Sequence, residues 1–185
     1  MRLRIAEAAK KLFETEGYGK VSMRRIAENV GVSPMTLYKY YDAKIDVLRT
    51  LWADIFARVF HGLDELDLSG LGTAEQLLAL SEAYLEYWLQ NTEQYRLVFM
   101  AEGVTQSDVD LFVGNPEIVA RFQVFIEALG ETEPPDTLTS ETKLKLDTLI
   151  CCLHGIAHNK ITISGYAWSE ARAMLNIVIS GIMKK

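Results

Sequence analysis

Apolar residues recur at helical spacing from one end of the chain to the other, and no segment sustains the alternation that a half-buried strand requires. Ile5, Ala8, Ala9, Leu12 and Phe13 form the first stripe, and Gly17 ends it. Ser22 then stands where an N-cap belongs, ahead of a second helix whose Ile26, Ala27 and Val30 face inward and which stops at Gly31. Ser33 followed by Pro34 couples a capping hydroxyl to a residue suited to the first helical position, so a third, eight-residue helix opens there. Leu37 and Tyr41, one turn apart, hold that helix to the other two. A long fourth helix follows from Lys44 to about Phe60. After the Gly-rich connection 62–72, helical patterns cover 73–91, with Thr73 as its cap, then 93–101, a looser stretch at 108–112, and 116–129. The break 130–139, with Pro134 and Pro135, is the clearest linker, and two apolar helices over 140–159 and 168–183 complete the chain. The expected fold is all-α, with about nine helices.

Two short helices joined by a tight Gly-containing turn make a helix-turn-helix, the arrangement that sets its second helix into the DNA major groove. Charge tests this reading independently. The 185 residues carry a formal net charge of -6, which by itself argues against a nucleic-acid partner. Residues 1–49, however, hold ten Lys and Arg against six Asp and Glu, leaving nine against nineteen in the remainder. Phosphate binding needs local positive potential rather than a basic protein. A basic reader at the N-terminus joined to an acidic body of different purpose accounts for the asymmetry.

Other classes are weakened in turn. No apolar run approaches the roughly 18 residues a membrane span needs, and charges recurring from Arg2 to Lys11 leave no apolar signal core. The chain is therefore expected to be soluble and cytoplasmic. Cys151 and Cys152 are adjacent, too close for an ordinary disulfide, and are expected as small core residues of a helix. His154 and His158 have a spacing able to hold a metal, but no further ligand motif completes a site. Cys151 and His154 share a helix face but lie inside an apolar run rather than in an accessible electropositive setting, and no Ser-His-Asp order or phosphate loop appears, so neither an enzymatic activity nor a cofactor is expected.

The residues also match a known pattern. The run Ile5-x-x-Ala8-Ala9-x-x-Leu12-Phe13-x-x-x-Gly17-Tyr18, then Ser22-Met23-Arg24-x-Ile26-Ala27, then Gly31-Val32-Ser33-x-x-Thr36-Leu37-Tyr38-x-Tyr40-Tyr41-x-x-Lys44, resembles the TetR family of bacterial transcriptional regulators. The resemblance implies a three-helix DNA-binding domain over 1–45 and a larger effector-binding and dimerisation domain over 46–185. It further implies a homodimer that represses from a palindromic operator and leaves it when a small apolar molecule binds the second domain. Arg25, Ile45 and Tyr41 depart from the usual pattern. Arg25 places a cation near the positive end of a helix dipole, at a cost of a few tenths of a kcal/mol by order of magnitude. A DNA phosphate would offset that cost; the alternative is a merely solvated side chain.

With Leu37 and Tyr41 inward, Met35 and Lys39 share one outward strip and Thr36 and Tyr40 another. Lys39 reaches base acceptors, and Pro34 and Met35 pack on thymine methyls. Thr36, Tyr40 and Lys44 suit phosphates, as do Ser33 and the amides it precedes. Ser22, Arg24 and Arg25 complete the expected DNA face, and Tyr38 is open between core and surface. In the acidic body, aromatics at helical spacing mostly make core. By the resemblance some line an effector cavity, with Trp88, Phe99, Phe122 and His154 the candidates. The last two helices carry broad apolar surfaces, and the final one is apolar around more of its circumference than one stripe requires. Leu149, Leu153, Ile156, Met174, Leu175, Val178 and Ile182 are accordingly the expected interface with a second copy.

Overall fold

The structure is a computed structural model that describes residues 1–132, 134–135 and 137–184; Glu133 and Asp136 of the expected linker lie outside the described residues. Helices account for all its regular structure, and the described residues contain no strand. In order they are α1 (Arg2–Glu16), a 3-10 turn (Tyr18–Lys20), α2 (Met23–Val30), α3 (Pro34–Tyr38), α4 (Lys44–Asp64), α5 (Thr73–Gln90), α6 (Thr92–Phe99), α7 (Gln106–Val113), α8 (Pro116–Arg121), α9 (Gln123–Ala128), α10 (Ser140–Thr162) and α11 (Ala171–Ile182). The stretch 116–129, which reads as one helix, is two short ones. The break falls at Phe122, whose ring lies 5.0 Å from that of Phe60 and 6.4 Å from that of Phe125. Thr73 is the first helical residue of α5 rather than its cap. The side chain of Glu75 accepts the Gly72 N–H at 2.9 Å and closes that helix start instead.

Contacts divide the chain into two units, Met1–Arg58 with Glu93–Asn115 and Val59–Thr92 with Pro116–Lys185. In the first, Ile5, Ala9, Leu12 and Phe13 of α1, Ile26, Ala27 and Val30 of α2, and Leu37 and Tyr41 bury one another, as their spacing predicts. The segment 93–115 belongs to this unit through the early turns of α4. Trp52 donates its Nε1–H to the Leu97 carbonyl at 3.1 Å and meets Phe112 edge-on at 5.2 Å. Charge and motif lead the sequence to suggest a boundary near residue 45, and nothing in the sequence marks the later segment as part of the same packing unit.

Gly31 has φ 77° and ψ 35°, the left-handed conformation that ends α2 and turns the chain toward α3. The Val32 N–H returns to the Ala27 carbonyl at 3.0 Å, satisfying an end carbonyl of α2. An added Cβ there would meet nothing within 4 Å, so only backbone strain opposes substitution. Gly31→Ala is expected to destabilise the first unit by about 1 kcal/mol, measurable as a lowered urea midpoint with unchanged slope.

In the second unit α5 packs against α9, α10 and α11, and α10 packs against α11. Leu77, Leu80, Tyr84 and Trp88 of α5 are buried with Phe125, Leu149, Leu153, Leu175 and Ile179. The inward stripe of α10 is Leu149, Leu153 and Ala157, at intervals of four. Two residues beyond Leu149, Cys151 is about 200° round the helix and so points away. It is exposed and Cys152 half-buried, which corrects the expectation that both are core residues.

Candidate nucleic-acid interface

Local hydrogen bonds build the reader almost entirely from short-range chemistry. The Ser22 hydroxyl accepts the Arg25 N–H at 3.1 Å and caps α2. Ser33 does the same for the Thr36 N–H at 3.1 Å, and its hydroxyl shares a hydrogen bond with that of Thr36 at 2.9 Å. α3 has five residues rather than eight. After it the chain tightens, with the Tyr40 N–H donating to the Leu37 carbonyl at 2.9 Å, and this turn carries Lys39 and Tyr40.

The short helix presents a definite face. Leu37 and Tyr41 are buried, whereas Ser33, Pro34, Met35, Tyr38 and Lys39 are exposed and Thr36 and Tyr40 half-buried. Met35 keeps 76% of its surface in solvent and Tyr38 50%, which settles Tyr38 as a surface residue. The Met35 thioether and the open half of the Tyr38 ring are available for contact. Lys39 lies in no ion pair among the described residues.

The neighbouring cations are fixed by intramolecular partners. Arg24 is exposed and pairs with Glu28 at 3.0 Å along its own helix. The Arg25 guanidinium donates to Glu16 through two nitrogens, at 2.9 Å and 3.3 Å. Glu16 thus offsets a cation at a helix start. The sequence offers Arg25 a phosphate or solvent, and the fold supplies this carboxylate instead. Glu16 and Arg25 lie nine residues apart across Gly17 and the 3-10 turn, a spacing with no periodic signature. Lys44 donates to the Tyr18 carbonyl at 2.7 Å and sits 4.1 Å above its ring, and partial burial lowers its pKa. Arg2 stacks 4.7 Å over Tyr41, a basic residue beside the reader that motif reasoning missed.

The other expected site residues fall into separate groups. Trp88 is fully buried, meeting the Tyr84 ring at 6.0 Å; Tyr84 in turn meets Phe125 at 5.8 Å and Phe60 at 6.5 Å. The Tyr84 hydroxyl and His154 Nε2 share a hydrogen bond at 3.1 Å, and burial lowers the His154 pKa to about 4. Trp88, Phe122 and His154 therefore belong to one aromatic cluster of the second unit. Phe99 belongs to the first unit, where it is 40% exposed and packs on Tyr95 at 4.8 Å. Of the expected interface residues, Leu149, Leu153, Leu175 and Ile182 are buried within the chain itself. Ile156, Met174 and Val178 instead line an open apolar groove of about 370 Å³ with Cys152, Trp168 and Ile177, the last 75% exposed. Among the described residues no group of three or more His, Cys, Asp and Glu side chains is placed to hold a metal ion. No described helix is long and apolar enough to cross a membrane.

Known proteins share both the reader and the fold. Residues 5–51 match the family described as bacterial regulatory proteins, tetR family. The HTH-type transcriptional activator FasR of Mycolicibacterium smegmatis is 25% identical over 121 residues, which cover 65% of this chain and 51% of FasR. An HTH-type transcriptional regulator of Staphylococcus aureus is 46% identical over 46 residues, 25% of this chain and 25% of that protein. The matched regions thus span about half of one relative and a quarter of the other. A transcriptional regulator from Rhodococcus sp. Rha1 shares the fold at TM-score 0.71 and 17% identity, over 99% of this chain and 96% of that one. Thermus thermophilus FadR, a TetR family transcriptional repressor solved in complex with lauroyl-CoA, shares it at TM-score 0.67 and 18% identity, over 99% and 93%. With the reader's capping, turn and inward residues in place, residues 5–51 match the tetR family of bacterial regulatory proteins, and the chain as a whole shares its helical fold with the Rhodococcus and Thermus regulators.

Proposed function

We propose that this chain is a cytoplasmic, homodimeric transcriptional repressor that occupies a palindromic DNA operator and is released from it by a small apolar effector. The observation that carries the DNA-binding part is the outward face of α3, where Met35, Tyr38 and Lys39 stand in solvent on a helix pinned by Leu37 and Tyr41. In this reading residues 1–45 read DNA and residues 46–185 bind effector and partner. Lys39 takes base acceptors, and Pro34 and Met35 pack on thymine methyls. Ser22, Ser33, Thr36 and Tyr40 meet phosphates, while Lys44, tethered to Tyr18, offers its remaining N–H groups to the same backbone. Arg24 and Arg25 reach phosphate only by sharing or leaving Glu28 and Glu16.

The effector site of this proposal is the cluster of Trp88, Phe122 and His154 around Tyr84, with Phe99 outside it. An apolar ring set with a few polar atoms suits a small hydrophobic ligand. Thermus thermophilus FadR is solved with lauroyl-CoA, whose lauroyl chain, though not its anionic coenzyme A portion, is of that apolar class. The partner surface is the open groove of Ile156, Met174 and Val178, with the buried Leu149, Leu153, Leu175 and Ile182 supporting it from behind. A second reading, activation rather than repression, is favoured by the match to FasR, whose alignment extends well past the reader.

The test is selection of binding sites from random DNA with purified protein. An enriched palindrome bound with a steep salt dependence supports the reading; no enrichment removes it. On the enriched site Lys39→Ala is expected to cost about 1–3 kcal/mol and relax base preference at one position per half-site. Lys44→Ala should weaken all sequences alike and reduce the salt slope by about one. Fluorescence anisotropy titrations at several salt concentrations separate the two.

A further inference from the structure

An unbroken set of charge-assisted hydrogen bonds joins the turn behind α3 to the start of α7. At one end the Ala43 N–H donates to Asp46 Oδ2 at 2.9 Å. Arg49 Nη1 donates to Asp46 Oδ1 at 3.4 Å, and Arg49 Nη2 donates to Asp108 Oδ1 at 2.9 Å. At the other end Asp108 Oδ2 accepts the Thr105 N–H at 3.1 Å and the Thr105 hydroxyl at 2.7 Å, closing the cap of α7. Each carboxylate gives one oxygen to a backbone amide and the other to the same guanidinium. Ala43 stands one residue before α4 and two after Tyr41, the inward residue that ends the reader.

We infer that Arg49 and Asp108 are positioning residues for DNA reading, through which the segment 93–115 sets the start of α4 and the turn that carries Lys39 and Tyr40. The inference rests on the DNA-binding role proposed above. Three features favour it over a plain stabilising ion pair. The Arg49 and Asp108 side chains are only 25% and 22% exposed, so their geometry is held more firmly than that of a surface pair. Arg49 Nε is buried with no acceptor among the described residues, a cost that a site selected for stability alone would avoid. Asp108 is also committed to Thr105, so α7 cannot shift along α4 without breaking either its own cap or the pair. The Thr105 hydroxyl and amide, with the Arg49 charge behind them, hold the Asp108 carboxyl below the usual carboxylate range, so Asp108 stays ionised at neutral pH.

Two further contacts fix the same segment without touching the pair. Trp52 donates to the Leu97 carbonyl one turn along α4, and Phe56 lies 5.7 Å from Phe112. This hydrogen bond and ring contact hold α6 and α7 in place when the ion pair is cut, so its removal should alter register more than it alters folding.

The test uses the full chain as wild type, Arg49→Gln, Asp108→Asn and the double variant, each titrated against the selected palindrome and against random DNA. Each single change is expected to lower palindrome affinity about tenfold, the scale of one hydrogen bond to a charged group. The double variant should fall no further than the weaker single, since both act through one contact. Random-DNA affinity and the salt slope on the palindrome should stay unchanged, because no phosphate contact is removed. Arg49→Lys, which keeps the charge but reaches only one of the two carboxylates, should fall between wild type and Arg49→Gln. Thermal unfolding of every variant gives the structural control, and Arg49→Lys keeps the comparison open where Asp108→Asn folds poorly. Unchanged palindrome affinity in the single variants, losses that multiply in the double variant, or equal losses on random DNA with a shallower salt slope would each overturn the inference. A wild-type chain that selects no palindrome removes the DNA-binding reading itself, and this inference with it.

Discussion

Leu37→Ala is expected to destabilise the first unit by about 2–5 kcal/mol and to weaken palindrome binding by at least about a hundredfold. Leu37 is fully buried in a helix of only five residues. A helix that short has no stability of its own in water, because nucleation is never repaid by propagation. Its caps at Ser33 and in the Tyr40 turn satisfy backbone groups but do not fix it to anything. Leu37 and Tyr41 do that, and a cavity under Leu37 removes half of the attachment. Urea unfolding followed by circular dichroism gives the stability term, and anisotropy titration with a labelled palindrome gives the binding term. A variant that loses stability yet binds with wild-type affinity would show that α3 is held by something other than its buried leucine.

Acidification should destabilise the second unit as pH falls from about 6.5 to about 4, through His154. Its imidazole is buried against Tyr84, and desolvation lowers the folded-state pKa to about 4 from the ordinary 6.5. The depressed value means that the folded chain resists the proton the unfolded chain accepts. Stability is therefore fully present above pH 6.5, falls between the two values, and is flat again below the lower one as far as this group is concerned. At 1.36 kcal/mol per unit, the full span corresponds to about 3 kcal/mol. Chemical unfolding of wild type and His154→Gln across this range checks it. The variant should lack this part of the acid slope, and identical slopes in the two proteins would assign the acid sensitivity elsewhere. Any effector that hydrogen-bonds His154 in the proposed site meets a neutral imidazole at physiological pH.

Helix content, the three-helix reader and its exposed face were legible in the residues because each rests on interactions within a few positions. Ser22, Gly31, Ser33 and Pro34 act through caps and backbone dihedrals, which the chain specifies locally. The inward pairing of Leu37 and Tyr41 follows from spacing alone. The length of α3 was overestimated, since helical periodicity continues into residues whose hydrogen bonds tighten into a 3-10 turn. The fates of Arg25 and Lys44 were not legible. Their partners, Glu16 and Tyr18, come from an earlier helix and turn, and no periodic rule pairs residues 9 and 26 positions apart.

The acidic body shows the same division more sharply. Its apolar helices announce themselves, but which face of α10 or α11 is core and which is open depends on where α5 and α9 lie. Sequence alone therefore placed Leu149, Leu153, Leu175 and Ile182 in one set with Ile156, Met174 and Val178, although packing buries the first four and leaves the others along an open groove. Cys151 was misplaced for the same reason. The grouping of 93–115 with the reader is set by Trp52, Phe56 and Arg49 meeting residues some 45 to 60 positions later.

The sequence by itself determined an all-helical chain whose first residues carry the TetR-like helix-turn-helix pattern, and which side of α3 faces out. These follow from capping, glycine dihedrals and a 3.6-residue period, all of them short-range. Only the tertiary structure decided which cations are already paired, which apolar residues remain open to a partner, and which distant segment steadies α4. Those outcomes depend on burial and on charges meeting across helices, and burial is a property of the packed whole.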